Sequence, residues 1–436
     1  MKTAGIIVEY NPFHNGHQFH IEETRKITGA DFVIAVMSGN FVQRGTCALL
    51  DKYIRTRMAL TCGADLVLEL PVFFATGSAG DFASGAVSLL DKLGIVDALC
   101  FGSECGNIAM LGDAAALLAE EPPQFSAALK AGLKQGFSFP NARAAALKTC
   151  LSGDMPNAHN ASAPALPEYQ NTADSFLLSP NNILGIEYCT ALRRRNSAIT
   201  PYTIQRKGAG YLEDTLCPVP EQECFASALS LRTALRSGDS IPQLWDGISP
   251  YIPSQLSSLW QQILSEKSFL FPEDFTRELR CRLILEAASG FEQYADVSRE
   301  LSDKLKKSTL LFDDWDSICT LLKSKETTYS RISRSLCHIL LSITKEEVSS
   351  ARQNDYVPYA RILGFRKEAV PLLSAIKPNS SVPLISKLAD ARRMLKPSAL
   401  SMLQKDILAA HLYEAVRFSK TGLSPVNEYT RQIIMI

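Results

Sequence analysis

The sequence lacks any apolar run approaching the roughly 20 residues a helix needs to cross a bilayer. It also lacks a basic segment followed by an apolar core and cleavage site near residue 1. A membrane partner is therefore not expected, and a cytoplasmic location is. CxxC pairs are missing too, although there are eleven cysteines. An odd count, with Cys62, Cys100 and Cys189 inside apolar runs, argues for buried free thiols rather than a disulfide framework. Histidine is scarce, at six residues, and none stands at zinc spacing with a cysteine, so no metal ligands are predicted. No internal repeat of solenoid period is visible.

Net charge is absent as well: 45 Lys and Arg balance 45 Asp and Glu. The balance is uneven along the chain. Residues 301–436 carry 21 basic against 13 acidic side chains, and residues 1–300 carry 24 against 32. The excess of eight positive charges is what a polyanion-binding part would have, and also what a solvated basic face would have.

What is present is a 436-residue chain, 46% hydrophobic and 21% charged. Those values fit a soluble globular protein of two domains. In the first hundred residues, apolar strands at Gly5–Tyr10, Asp31–Met37, Ala64–Leu70 and Val96–Phe101 alternate with helical spacing at Gly16–Thr28, Asp51–Cys62 and Asp81–Leu93. Near-continuous apolar strands separated by helices predict a doubly wound parallel sheet, with ligands beyond the strands' carboxyl ends. Residues 109–151 read as alanine-rich helix and 152–174 as a polar, proline-bearing loop. A Pro/Ser/Gly-rich stretch around 237–254 suggests a boundary. The expected division is an α/β catalytic domain over 1–240 and a mainly helical, basic domain over 241–436, its last part mixing short helices with turns.

The strongest local feature is the first strand running into Asn11-Pro12-Phe13-His14-Asn15-Gly16-His17 and then a helix. A helix N-terminus favours an anion through its unpaired N–H groups and its dipole. His14 and His17, three apart at that start, fall on one side of it, where each imidazole can donate to a phosphate oxygen. Gly16 between them allows a close backbone approach.

This HxGH arrangement resembles the signature of the nucleotidyltransferase superfamily. More closely, the chain resembles the tRNA(Met) cytidine acetate ligase family. The likeness rests on the blocks VEYNPFHNGH at 8–17, MSGNFVQRG at 37–45, GADLVLELP at 63–71, FGSE at 101–104, SPNNILGIEY at 179–188, QRKGAGY at 205–211, ASALSLR at 226–232 and YARILGF at 359–365. The resemblance implies an ATP-dependent ligase that makes acetyl-adenylate and transfers the acetyl group to the wobble cytidine of elongator tRNA(Met), giving N4-acetylcytidine. It implies ATP with Mg²⁺, acetate and that tRNA as partners, and no protein partner. A small-molecule adenylyl- or cytidylyltransferase, or a non-catalytic RNA-binding protein, is the competing reading.

Carried over residue by residue, the ATP loop spans Ile7, Val8, Glu9, Tyr10, Asn11, Pro12, Phe13, His14, Asn15, Gly16, His17, Gln18, Phe19 and His20. Gly102, Asn181, Arg206 and Lys207 fall at further nucleotide contacts, with Lys207 standing where isoleucine is frequent. Ser227 and Arg232 correspond to an element that holds pyrophosphate. As side chains, Asn181 and Asn182 are suited either to capping the following helix or to bonding a base or ribose. Catalysis is assigned to His14, His17 and Arg44; Arg44 either holds acetate or pins its loop. In the C-terminal half, Arg331, Arg334, Arg361, Arg366, Lys367, Arg392 and Arg393, with Tyr329, Tyr356, Tyr359 and Phe365, are candidates for phosphate contact and base stacking.

Overall fold

The computed structural model describes residues 1–151, 173–206 and 225–436. In chain order the first half holds β1 (Thr3–Val8), α1 (Asn15–Thr28), β2 (Phe32–Ser38), the hairpin β3 (Phe41–Val42) and β4 (Thr46–Cys47), α2 (Lys52–Thr61), β5 (Leu66–Leu70), α3 (Val72–Ala75), α4 (Ala79–Lys92) and β6 (Ala98–Ser103). There follow α5 (Ile108–Glu120), α6 (Pro123–Lys134), α7 (Phe139–Leu151), α8 (Ala173–Leu178), α9 (Pro180–Arg194) and β7 (Thr200–Gln205). Next come α10 (Ala228–Ala234), α11 (Ile241–Ile248), α12 (Ser257–Glu266), α13 (Thr276–Glu286), α14 (Arg299–Ser308), α15 (Trp315–Leu322), α16 (Tyr329–Leu340) and α17 (Lys345–Gln353). The chain closes with β8 (Ala360–Phe365), α18 (Val370–Asn379), β9 (Leu384–Ile385), α19 (Leu388–Met394), α20 (Pro397–Thr421) and β10 (Ile434–Met435).

The sheet runs β10-β8-β5-β2-β1-β6-β7, with β9 beside β8. From β5 to β7 every neighbour is parallel. Both faces of these strands are covered, which is why they read as unbroken apolar runs. Ile7, Ile34, Val36 and Leu68 pack with Phe82, Ala86 and Leu90 of α4 on one face. Ile6, Val8, Val33, Ala35 and Met37 point the other way, to Ile21 of α1 and Met58 and Leu60 of α2. The α/β doubly wound fold predicted from the alternation is the one found. Cys62, Cys100 and Cys189 are buried free thiols.

Because β2 and β5 lie to one side of β1 and β6 and β7 to the other, the chain changes direction between β1 and β6. A crevice opens at such a point beyond the strands' carboxyl ends. It is there that Glu9 follows β1 and that Gly102 and Ser103 end β6.

The C-terminal half, expected to be mainly helical, also carries strands. β8 pairs antiparallel with β5, and β10 pairs with β8, so the last 77 residues extend the same sheet. The sequence ARILGF falls in the part expected to mix short helices with turns; burial on both faces decides for strand, with five of its six positions buried. Nor does the 237–254 stretch mark a break in the core. Ile248, Tyr251, Ile252, Leu256 and Trp260 pack in the same cluster as α1 and α2.

Several side chains expected to meet RNA are interior. Arg361 is buried in an ion cluster, with Nη1 2.8 Å from Oε2 of Glu69 and Nη2 2.5 Å from Oε1 of Glu428. Lys52 Nζ completes it, 2.7 Å from Glu69 and 2.6 Å from Glu428. Tyr359 is buried and donates to Oδ2 of Asp406 at 2.7 Å. Tyr356 packs its ring 5.5 Å from Phe74, Phe365 is half-buried against the core, and Tyr329 donates to Asp316 at 2.8 Å. Arg334 is paired with Asp296 at 2.8 Å. Arg331, Lys367, Arg392 and Arg393 are exposed, and Arg366 is half-buried.

Candidate active site

A cavity of about 270 Å³ occupies the crevice. Its wall draws together Ile7, Val8, Glu9, Tyr10, Asn11, His14, Gly16, His17, Phe19 and His20 with Arg44, Gly102, Asn181, Arg206, Ser227 and Arg232. Four residues of the predicted ATP loop are not in that wall. Phe13 is buried in the core, Asn15 donates to the carbonyl of Pro250 at 3.0 Å, Gln18 donates to Glu22 at 2.7 Å, and Pro12 turns the chain. Lys207 lies outside the described residues.

The histidine pair is held from within. His14 is the N-cap of α1, and its Nδ1 accepts the N–H of Gly16 at 3.1 Å. His17 Nδ1 accepts the N–H of His14 at 3.3 Å. The rings lie 3.8 Å apart, centroid to centroid. With both Nδ1 atoms accepting, the neutral rings carry their hydrogens on Nε2. Burial pushes His14 down to about 3, helped by the charges of Arg206 and Arg232. His17 is lowered well below its ordinary value for the same first reason, and His20 to about 4. All three are neutral at pH 7. The physics differs in one respect from the sequence expectation: the Gly16 N–H is satisfied by His14 itself, so the imidazole Nε2–H groups replace it as donors to an anion. Gly16 is required for packing, since a Cβ there would stand 2.9 Å from Cε1 of His14 and 3.3 Å from Cβ of Phe225.

The remaining walls come from other elements. Arg44 is exposed in the turn between β3 and β4. Glu9 lies beside it, and its Oε1 accepts the N–H of Gln43 at 2.7 Å. Burial raises the Glu9 carboxyl, opposed by that hydrogen bond and by Arg44, Arg232 and Arg55. Arg232 of α10 donates to the carbonyl of Asn11 at 2.5 Å, and Ser227 caps α10 by accepting the Ser230 N–H at 2.9 Å. Arg206 follows β7, its N–H donating to Ser103 at 2.9 Å. Gly102 leaves room for the Arg206 side chain, which a Cβ would meet at 3.4 Å.

Neither asparagine caps α9. The carboxylate of Glu104 does so, accepting the N–H of Asn182 at 2.8 Å and the Nδ2 of Asn181 at 2.7 Å. Asn182 is buried, donating to Phe176 and accepting from Cys105. Asn181 alone of the two lines the cavity. Sequence reading missed Gln43, Phe82, Leu184, Tyr188 and Phe225, which also line it. Leu184 and Tyr188 were visible as the helical i, i+4 pair of the 179–188 block. Nothing local in the sequence marks Phe82 or Phe225.

The hydroxyl of Tyr10 and Nε2 of His20 are buried with no hydrogen-bond partner among the described residues. No three His, Cys, Asp or Glu side chains gather as a metal cage among the described residues. No helix there is long and apolar enough to cross a membrane.

The HIGH Nucleotidyl Transferase family model matches residues 1–424. A tRNA(Met) cytidine acetate ligase of Acetivibrio thermocellus is 38% identical over 441 residues, covering 100% of both chains. One of Clostridium kluyveri is 39% identical over 413 residues, 95% of this chain and 94% of its own. The crystal structure of apo Thermotoga maritima TmcAL matches with a TM-score of 0.89 at 30% identity, covering 100% of each chain. The same protein bound with alpha-thio ATP matches at 0.86 and 29% over 100% of each chain.

Proposed function

The chain belongs to the HIGH Nucleotidyl Transferase family and, within it, to the tRNA(Met) cytidine acetate ligases, and from that premise we propose how its cavity performs the two steps of such a ligase. In the first, a carboxylate oxygen of acetate attacks the α-phosphorus of ATP. An O–P bond forms, the bond to the bridging oxygen breaks, and pyrophosphate leaves. Little covalent help is needed; positioning and neutralisation of developing charge carry the step. The observation that carries this reading is the lock on His14 and His17, which turns two neutral Nε2–H donors toward one cavity. A neutral donor pair suits a transferring phosphoryl group, because the rings need not lose a proton to bind it.

Arg232 and Ser227 are assigned to the departing pyrophosphate, and Gly102, Asn181 and Arg206 to the adenosine end. Arg44 is assigned to the acetate carboxylate. Mg²⁺ would arrive on the ATP phosphates, since magnesium is commonly held by substrate phosphates rather than a protein cage. In the second step the acetyl group passes to the exocyclic amine of the wobble cytidine of elongator tRNA(Met). Residues 1–240 are proposed to make the adenylate, and residues 241–436 to hold the RNA through exposed cations such as Arg331, Arg392 and Arg393.

Acetate-dependent exchange of labelled pyrophosphate into ATP, without tRNA, tests the first step. Exchange that needs acetate supports the reading. Exchange driven by a phosphorylated alcohol instead would place the chain with small-molecule adenylyltransferases.

A further inference from the structure

The second step has a requirement that the first does not. When the N4 amine of cytidine attacks the acetyl carbonyl, a C–N bond forms and the C–O bond to AMP breaks. The amine must also lose a proton. AMP leaves as a phosphate dianion whose basicity develops only as the C–O bond breaks, so a group already basic and in place is needed to receive the proton as the C–N bond forms.

Nε2 of His20 is fully buried and out of reach of a ligand in the cavity, and His14 and His17 are committed as donors. Both Nδ1 atoms of His14 and His17 already accept backbone N–H groups, which leaves the hydrogen of each neutral ring on Nε2. Arg44, Arg206 and Arg232 are donors only. Among the described residues that line the cavity, Glu9 is the one carboxylate. Its Oε1 is fixed by the Gln43 N–H, so the carboxylate is oriented by the backbone of the hairpin and Oε2 is the oxygen left to a ligand.

We propose that Glu9 is the catalytic base of acetyl transfer, its Oε2 accepting the N4 proton as the amine attacks the acetyl carbonyl of acetyl-adenylate. The proposal rests on the two-step reading above. It accounts for the place of Glu9 at the end of β1, between the α1 histidines and the Arg44 hairpin. It also accounts for a carboxylate in a cavity otherwise built to attract anions. The groups facing Glu9 are Arg44 of the hairpin, Arg232 of α10, Arg55 of α2 and the phenol of Tyr188 on α9. Burial raises its proton affinity above that of an exposed carboxylate, in the direction a base requires, and the three arginines oppose that rise.

The test bypasses the first step. Synthetic acetyl-adenylate and a tRNA(Met) transcript are mixed with the full-length protein, without ATP, and N4-acetylcytidine is quantified by mass spectrometry in single turnovers from about pH 5 to pH 8. The natural protein should show a transfer rate that falls tenfold per unit below the Glu9 pKa. Glu9→Gln keeps the Gln43 hydrogen bond, and should be about 100-fold slower at neutral pH and lack that acid limb. Glu9→Asp should keep the limb, which provides a second reading if the glutamine variant does not fold. Transfer by Glu9→Gln within threefold of the natural rate, or a slow variant that retains the limb, would overturn the proposal. Failure of the natural protein to consume acetyl-adenylate with tRNA would instead overturn the functional reading on which it rests.

Discussion

Ser333 on α16 donates its hydroxyl to the carbonyl of Gly45 at 3.1 Å, and the indole of Trp315 donates to the same hydroxyl at 3.0 Å. One short chain of bonds thus ties the helical C-terminal half to the turn that carries Arg44. Arg331, on the same helix, is exposed. The surface assigned to RNA and the wall assigned to acetate share a support.

Gly45→Ala should disturb that support. Gly45 has φ of 72°, and a Cβ there would collide with the backbone of Ser333 and Arg334. The variant should lose about 1–3 kcal/mol of stability. Its transfer to tRNA should fall more than its affinity for ATP, because the hairpin moves and the histidine loop does not. Thermal melts beside nucleotide titrations check this; a weakened ATP site with normal transfer would speak against it.

His17→Ala should slow acetyl-adenylate formation at least ~10-fold, since a lost donor at the transition state is worth more than about 1.4 kcal/mol. Acetate-dependent pyrophosphate exchange at the natural rate would remove His17 from the chemistry.

The histidines also make a prediction about acid. The ordinary value is 6.5, and His14 sits at about 3 in the folded chain. As pH falls, the unfolded chain takes up that proton first. Stability present above about pH 6.5 is therefore lost below it, by up to about 1.4 kcal/mol per pH unit for each such ring. The Tm of the nucleotide-free protein should drop between about pH 7 and 5, and less steeply in His14→Gln. Parallel melting curves for the two would show that His14 is not held neutral.

Arg361→Met and Arg331→Glu should part company. Arg361 belongs to the buried cluster with Lys52, Glu69 and Glu428, where losing one partner costs about 3 kcal/mol or more. It should lower Tm without changing the salt dependence of tRNA binding. Arg331→Glu should leave Tm in place and reduce the slope of log K against log salt by about one or two. The opposite pattern in filter binding would exchange their roles.

The contrast between these two arginines marks where the sequence was legible. The strands β1, β2, β5 and β6 were readable because burial on both faces leaves an unbroken apolar run. The histidine loop was readable because its spacing reflects a local cap, made within four residues. Arg361 was misread for the opposite reason: its partners Glu69 and Glu428 lie 292 and 67 positions away, and no local pattern distinguishes a buried ion pair from a surface charge. β8 escaped for the same cause, since its status as a strand depends on β5. β7 escaped because its half-exposed edge position leaves no continuous apolar run. The Glu104 cap on α9 depends on a contact across 78 residues, so the two asparagines beside it drew the attention instead.

The central claim is that ATP and acetate are used to acetylate one nucleotide of tRNA(Met). It is tested most directly by incubating the protein with ATP, ¹³C-labelled acetate and unmodified elongator tRNA(Met), and then reading the wobble fragment by mass spectrometry. The account predicts labelled N4-acetylcytidine at that position, and none when either ATP or acetate is left out. An unmodified cytidine, or an acetyl group that appears without ATP, would contradict it.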